Sequence, residues 1–329
     1  MIPLGILAQV GQIYTSWTRT TTPATVPYHS ITYAPLTAGN WFMFGAGSGG
    51  TQTTSYYYST NGTSWTTGTL PQSRTFGVSA SNGTILLAHP VTGNSGDYFT
   101  TTNGTTWTQR TIETSSADHY ILKFLNGRFF RLASSASSSF FVGTDGINWT
   151  SVSVPQLRDI DFGNGVLMAV SGSSSVRICS GDPLVAGNWV SVTLPTIANG
   201  TPSTIAFNNG IWVVGYGGTT TSYAYSLNNG SSWLTGTLPA SLGTYNNGSG
   251  GGFNGAANTR LRSADGAIYY SINNSVHYST DGINWSSVST GTGLTFNSRD
   301  LATNGLGQAI MVGNGGTNNT NTATYLRGA

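Results

Sequence analysis

From residue 119 the chain alternates short apolar runs with polar punctuation. His119-Tyr-Ile-Leu-Lys-Phe-Leu125 is followed by Asn126-Gly127 and by Arg128-Phe-Phe-Arg-Leu-Ala133; after a serine-rich bend come Ser139-Phe-Phe-Val142, Asp145-Gly146 and Trp149-Thr-Ser-Val-Ser-Val154, and then Pro155. Runs this short, rich in aromatic and β-branched residues and bounded by turn formers, predict four strands. Asn-Gly and Asp-Gly tolerate positive φ at both central positions of a two-residue turn, so each pair predicts a tight hairpin. Proline has no N–H to give to a ladder. Pro71, Pro155, Pro195 and Pro239 therefore mark points where the chain leaves one sheet for the next.

The same unit recurs. Trp17, Trp65, Trp107, Trp149, Trp189, Trp233 and Trp285 return roughly every 40–52 residues, a spacing that fits one small sheet per repeat. Six complete units run from Tyr28 to Leu70, Ser73 to Ile112, His119 to Val154, Arg158 to Leu194, Ser203 to Leu238 and Arg260 to Val288. The tail from Ser298 supplies three further strands and lacks its tryptophan strand. Ile13-Tyr-Thr-Ser-Trp17-Thr-Arg-Thr20 has the character of the missing outer strand. The expectation is an all-β, seven-bladed β-propeller of four-stranded antiparallel blades, closed by pairing the N-terminal strand with the C-terminal strands, which leaves no open edge in the ring. Residues 12–329 then form one domain, because each unit needs its neighbours to bury its faces. Residues 1–11 read as an apolar docking segment without the basic start of a signal peptide and too short to span a bilayer.

Composition sharpens this picture. Of 329 residues, 38% are hydrophobic, 12% aromatic and only 7% charged, with a single lysine, Lys123, a single glutamate, Glu113, and a net charge of +2. Apolar content suffices for inter-sheet cores, and the surface must be carried by Thr, Ser, Asn and Gly. Such weak positive charge gives no footprint for nucleic acid or anionic lipid. The lone Cys179 cannot form an internal disulfide and reads as a buried small hydrophobe. The four histidines lack metal-ligand spacing, so neither metal nor cofactor is expected.

Five of the turns carry a motif: Ser59-Thr-Asn61-Gly-Thr-Ser-Trp65, Thr101-Thr-Asn103-Gly-Thr-Thr-Trp107, Gly143-Thr-Asp145-Gly-Ile-Asn-Trp149, Ser226-Leu-Asn228-Asn-Gly-Ser-Ser-Trp233 and Ser279-Thr-Asp281-Gly-Ile-Asn-Trp285. These resemble the Asp-box, or BNR, repeat of sialidase-like β-propellers, Ser-x-Asp-x-Gly-x-Thr-Trp. The Asn228 copy has its spacing, and the other four are one residue shorter. The Asp or Asn side chain is expected to accept backbone N–H groups within the turn, and the tryptophan to fold back over its own hairpin. Ser180 to Trp189 is a longer, degenerate copy expected to protrude. Sialidases resemble one another in an arginine triad, a tyrosine–glutamate nucleophile pair and an acid aspartate. Here the Phe/Tyr-Arg-Ile-Pro motif is absent, and Glu113 is expected on the rim. Glycoside hydrolysis in general needs two carboxyl groups facing across a sugar, and Asp145 and Asp281 are spent in turns.

What remains is a cluster near the starts of inner strands. Arg158-Asp159-Ile-Asp161 and Arg299-Asp300 occupy similar places, with Arg74 and His119 close to that position in other units. Arg74, Arg158 and Arg299 as forked donors, with Asp159, Asp161 and Asp300 as acceptors, form a candidate ligand ring at one channel mouth. The competing reading has adjacent Arg-Asp pairs satisfying each other. Tyr56-Tyr57-Tyr58, Tyr216 and Tyr269-Tyr270 are candidate sugar-stacking residues, of which alternation buries every second one. The glycine-rich stretches 45–50 and 246–252 read as loops.

The functional expectation is a structural or receptor-binding virion protein, of the phage tail, fibre or capsid-appended kind. It would act without catalysis, with other virion proteins or a host surface glycan as partners. A glycan-degrading enzyme and a cellular assembly or scaffold propeller are the alternatives.

Overall fold

A computed structural model of the chain describes residues 13–21, 23–24, 26, 28–46, 51–92, 96–112, 119–133, 138–172, 174–243, 259–272, 274–290, 296–315 and 324–328. The docking segment, Glu113 and the core of both glycine-rich stretches lie outside these residues. Strand β1 is Trp17–Thr21. One seven-stranded sheet holds β2 (Tyr28–Leu36), β3 (Gly39–Gly45), β4 (Thr53–Ser59), β5 (Thr66–Ser81), β6 (Leu86–Thr92), β7 (Asp97–Thr101) and β8 (Thr108–Thr111). Four-stranded sheets follow: β9 (His119–Leu125) to β12 (Thr150–Val152) through β10 (Arg128–Ala133) and β11 (Phe140–Gly143), and β13 (Leu157–Gly163) to β16 (Trp189–Thr193) through β14 (Val166–Ser171) and β15 (Ser175–Cys179). The next two are β17 (Gly200–Asn208) to β20 (Leu234–Thr237) through β18 (Ile211–Gly218) and β19 (Ser222–Ser226), and β21 (Arg262–Ala264) to β24 (Ser286–Ser289) through β22 (Ala267–Ile272) and β23 (Ser275–Ser279). The last, ordered β1-β27-β26-β25, contains β25 (Phe296–Thr303), β26 (Ala309–Gly315) and β27 (Thr324–Gly328). Strand pairing among the described residues is antiparallel in all the sheets, and β1 runs against β27 with Thr18 opposite Arg327 and Thr20 opposite Tyr325.

The large sheet is large because β5 does two jobs. Its first half pairs with β4 through Tyr58–Thr66 and Ser55–Thr69, and its second half with β6 through Thr75–Thr92 and Ser81–Leu86. Pro71 was expected to interrupt the chain between sheets, but it sits exposed inside a continuous strand where no partner asks for its N–H. Pro155, Pro195 and Pro239 do lie between strands.

Strands β2, β5, β9, β13, β17, β21 and β25 touch in that cyclic order, and β25 returns to β2. Six of them carry a bulge at the equivalent place, leaving His29, Gly77, Tyr120, Arg158, Ser203 and Arg299 as the extra residues. A bulge bends its strand and re-aims the side chain it inserts.

Neighbouring repeats share their apolar cores. Leu70, Phe76, Leu86 and Phe99 close on Phe42, Phe44 and Tyr56, and Met168 and Val170 close on Ile205, Trp212 and Val214. With both faces covered, residues of both parities are buried, including Tyr56, Tyr57, Tyr216, Tyr269 and Tyr270. This corrects the expectation that some of them present rings to a sugar: alternation exposes one residue in two only on a sheet with a solvated face. Tyr58 alone of that group is half-buried.

The turn motif works as expected in its loop and differently beyond it. Asp145 Oδ1 accepts N–H groups from Ile147 and Asn148, each at 2.8 Å, and Asp281 accepts the same pair from Ile283 and Asn284 at 2.9 and 2.7 Å. The tryptophans, expected to cover their own hairpins, also reach the preceding repeat. Trp107 meets Tyr56 edge-on at 5.2 Å, Trp149 meets Tyr98 at 6.0 Å, Trp285 meets Tyr223 at 5.9 Å, and Trp189 of the degenerate copy meets Phe140 at 5.2 Å. The phenol of that preceding repeat then donates to a turn carbonyl, Tyr56 to Gly104 at 2.6 Å and Tyr223 to Gly282 at 2.9 Å. The turn glycine fits because it has no side chain: a Cβ on Gly104, φ 84°, would lie 2.7 Å from the Phe42 ring, and one on Gly62, φ 72°, 2.8 Å from Ile310. Each turn is thus a clamp between repeats. In the segment 180–189, expected to protrude, Ser180, Gly181, Asp182, Val185, Ala186 and Gly187 are exposed, whereas Trp189 is buried and donates its indole N–H to Pro183 O at 3.0 Å.

Candidate functional site

The strands in cyclic contact enclose a cavity of ≈ 330 Å³ whose wall draws on β2, β5, β9, β13, β17, β21 and β25. Its charged lining residues are Lys123, Asp161, Arg260, Arg262, Arg299 and Asp300, and His29 joins them. Asp159 lies behind the wall with no solvent contact.

The carboxylates hold neighbouring strands together. Asp159 Oδ1 accepts Lys123 Nζ at 2.9 Å and Ile160 N at 3.0 Å; its Oδ2 accepts the Thr204 hydroxyl at 2.7 Å and Ile205 N at 3.2 Å, and faces Arg262 at 3.6 Å. Asp300 repeats the arrangement: Oδ1 takes Arg262 Nε at 3.1 Å, and Oδ2 takes the Ser30 hydroxyl at 2.8 Å and Ile31 N at 3.1 Å. In both cases the residue after the bulge accepts a hydroxyl and an N–H from the next strand of the ring. Asp161 accepts Phe162 N at 3.0 Å and Phe207 N at 2.9 Å. Ser30, Ser79 and Thr32 continue the pattern through hydroxyl contacts of 2.8 and 2.6 Å, and Thr204 accepts Leu261 N at 3.2 Å. A polar belt therefore runs from β9 through β13, β17, β21, β25 and β2 to β5.

Ionisation follows from these contacts. Burial pushes the Asp159 carboxyl up, but the charges of Lys123, Arg262 and Arg260 outweigh it and hold the group at about 2. Asp161 is raised, because burial is only partly offset by Lys123 and two backbone N–H groups. Burial would lower Arg262, yet Asp300 and Asp159 raise it. Arg299 falls to about 9 through burial and the like charge of Arg260, and burial together with Arg299 holds His29 well below its ordinary value.

Of the sequence candidates, the structure brings Asp159, Asp161, Arg299 and Asp300 together. Arg74 and Arg158 are corrections. Arg74 lies at the β4–β6 crossover of β5 and reaches Asp97 at 3.6 Å, away from the cavity. Arg158 is the extra residue of its bulge and turns to β17, where it donates to Pro202 O at 2.9 Å. Adjacent Arg-Asp pairs therefore do not neutralise each other: Asp159 finds its cations on β9 and β21. His119 begins β9, and its side chain lies outside the described ones. Lys123, Arg260, Arg262 and His29 were not singled out. Alternation from Ile121 could have marked Lys123 as channel-facing, whereas the arginines depend on ring geometry. Among the described residues no three His, Cys, Asp or Glu side chains stand together in metal-binding reach, and no helix is long and apolar enough to cross a membrane.

No protein-family profile and no curated protein matches the sequence. Solved structures do match the shape. YCF48 bound to D1 peptide superposes with a TM-score of 0.64 at 13% identity, over 99% of this chain and 99% of that one. The fold is a β-propeller. A virginiamycin B lyase from Staphylococcus aureus, crystallised as a catalytically inactive form with quinupristin, superposes on the propeller with a TM-score of 0.67 at 11% identity, over 94% of this chain and 98% of the lyase. A chain of the mitotic checkpoint complex gives 0.63 at 10%, over 95% of each. Identities this low carry the propeller architecture and nothing of activity.

Proposed function

We propose that this propeller is a non-catalytic binding protein of a virus particle, a rigid seven-bladed ring of the Asp-box kind that contacts a neighbouring virion protein or a host surface glycan. The observation that carries the non-catalytic part is the use of the axial carboxylates. Asp159 and Asp300 each receive a hydroxyl, a backbone N–H and a cation, and Asp161 receives two backbone N–H groups. Carboxylates so committed clamp strands and are poorly placed to trade protons with a substrate. Seven blades are supported by the seven strands in cyclic contact, with β5 serving as the outer strand of one blade and the inner strand of the next. The particle assignment rests on the Thr/Ser/Asn/Gly-rich, charge-poor composition.

Imaging of the intact particle tests the location, with density for a ring of radial sheets on its surface as the expected result. Purified protein is expected to leave host polysaccharide intact. Turnover that disappears in Asp161→Asn would overturn the non-catalytic reading.

A further inference from the structure

Asparagine followed by glycine is prone to covalent change, because a glycine nitrogen unhindered by a side chain can attack the asparagine side-chain carbonyl. The chain contains twelve Asn-Gly pairs, and the fold restrains the described ones unequally. In the turn motifs both reacting groups are held. Asn61 Oδ1 accepts Thr63 N and Ser64 N, Asn103 Oδ1 accepts Thr105 N and Thr106 N, and the attacking N–H groups of Gly62 and Gly104 are tied to Ser59 and Thr101 hydroxyls at 2.9 Å. Gly230 N is held likewise by Ser226 at 2.8 Å. Among the hairpins that join first and second strands, Gly83 N and Gly305 N are bound by Ser81 and Thr303, Asn209 Nδ2 donates to Gly266 O and Thr280 O, and Asn164 Nδ2 donates to Asn229 Oδ1 at 3.2 Å. Gly200 N donates to Ile197 O, and Asn314 and Gly315 lie in the β26 ladder. Asn126-Gly127 differs from all of these. Both residues are exposed, and among the described residues neither the Asn126 side chain nor Gly127 N has a hydrogen-bond partner. A Cβ on Gly127 or on Gly165 would meet nothing within 4 Å, so hydrogen bonds and not crowding separate these turns.

We propose that Asn126 is a site of spontaneous deamidation, the fastest among the described asparagines of the folded protein. Gly127 N gives its proton to hydroxide and bonds to Asn126 Cγ; the Cγ–Nδ2 bond breaks, and Nδ2 takes a proton from water and leaves as ammonia, closing a cyclic imide. Water then adds at either imide carbonyl. Opening at Cγ gives aspartate, and opening at the main-chain carbonyl gives isoaspartate. Water is the co-reactant throughout, and no oxidation state changes. Asn126 stands in the left-handed region at φ 47°, so the attack needs the turn to open, and here the Leu125–Arg128 pairing alone opposes opening. Either product adds a negative charge in the recess where Asn126 and Arg128 meet Gly181 and Pro183 of the next repeat. Arg128 pairs there with Asp182 at 3.5 Å, so the new carboxylate offers it a rival partner. Isoaspartate also lengthens the main chain of a two-residue hairpin, whose register depends on that length. The inference stands apart from the binding role proposed above and leaves it untouched if it fails.

Ageing of the intact folded protein at mildly alkaline pH, followed by tryptic digestion and mass spectrometry against a zero-time digest, tests it. Cleavage after Lys123 and Arg128 releases a peptide in which Asn126 is the single asparagine, so its conversion to the acid is read directly. Asn126 is expected to convert about tenfold faster than Asn61, Asn103 or Asn164, the rate equivalent of one or two restraining hydrogen bonds, and faster still as pH rises. In urea-unfolded protein the four rates should converge, because the bonds that separate them are gone. Gly127→Ala, whose methyl crowds the attacking nitrogen and meets no neighbour, is expected to slow conversion of Asn126. Comparable rates at Asn126 and Asn61 in folded protein, no conversion of Asn126 under conditions that convert the unfolded chain, or a lead of Asn126 that persists undiminished in urea would overturn the assignment.

Discussion

Asp159 is fully buried, yet it stays ionised because five groups converge on its two oxygens. Removing it leaves Lys123 without its carboxylate and Arg262 with Asp300 alone. Asp159→Ala is expected to cost about 3–5 kcal/mol, the range for breaking one side of a buried charge network, read from urea unfolding midpoints. Histidines govern a different pH range. His277, 6% exposed, stacks on Tyr270 and contacts the Ser287 hydroxyl at 2.7 Å, and burial lowers it to about 4. The unfolded chain takes up that proton near pH 6.5, the folded chain only near 4. Stability is therefore lost as pH falls through this interval and is whole above it. His29 acts in the same sense, Asp161 in the opposite sense near the lower limit, and Asp159 only below the ordinary carboxylate range. The expected loss from His277 is of the order of 1–3 kcal/mol between pH 7 and 4, and His277→Gln should flatten it in urea unfolding at the two pH values.

At the scale of the element, the turn motif was legible as a hairpin signal and not as a clamp. Asn61, Asn103, Asp145 and Asp281 accept the backbone groups that their place in the motif implies, because those bonds close within four residues. The partners of the tryptophans and glycines sit one repeat earlier and could be known only from the packing. A paired substitution separates the two roles. Gly104 and Gly127 both have positive φ, but a Cβ on Gly127 meets nothing within 4 Å, whereas one on Gly104 meets the Phe42 ring. Gly127→Ala is expected to cost about 1 kcal/mol for the backbone alone, and Gly104→Ala about 1–3 kcal/mol more for the overpacked contact. Equal losses in thermal unfolding would mean that the clamp adds nothing. Bulges were the other silent feature: nothing in Arg158-Asp159 or Arg299-Asp300 announces that one arginine turns outward to Pro202 and the other lines the cavity.

At the scale of the whole molecule, β1 on β27 joins the two ends of the described chain, and Trp17 seats on Tyr269 of the preceding sheet at 5.9 Å. Thr20→Cys combined with Tyr325→Cys places thiols on directly opposed residues. Their oxidation is expected to stabilise the ring by about 2–5 kcal/mol, the span found for disulfides and below the chain-entropy ceiling of so long a loop, with denaturant midpoints of oxidised and reduced protein as the measure. Trp17→Ala should cost about 3–5 kcal/mol and release an edge prone to self-association, visible as concentration-dependent elution in gel filtration. The sequence by itself determined the strand character, the repeat, the turn chemistry and the matching of the first strand to the tail, since each is written in neighbouring residues or in a period. Which arginines reach the axis, which carboxylates act as strand clamps and which tyrosines are hidden was decided only by the tertiary structure, because ring closure brings residues from seven strands spread along the chain onto one wall and covers both faces of each sheet.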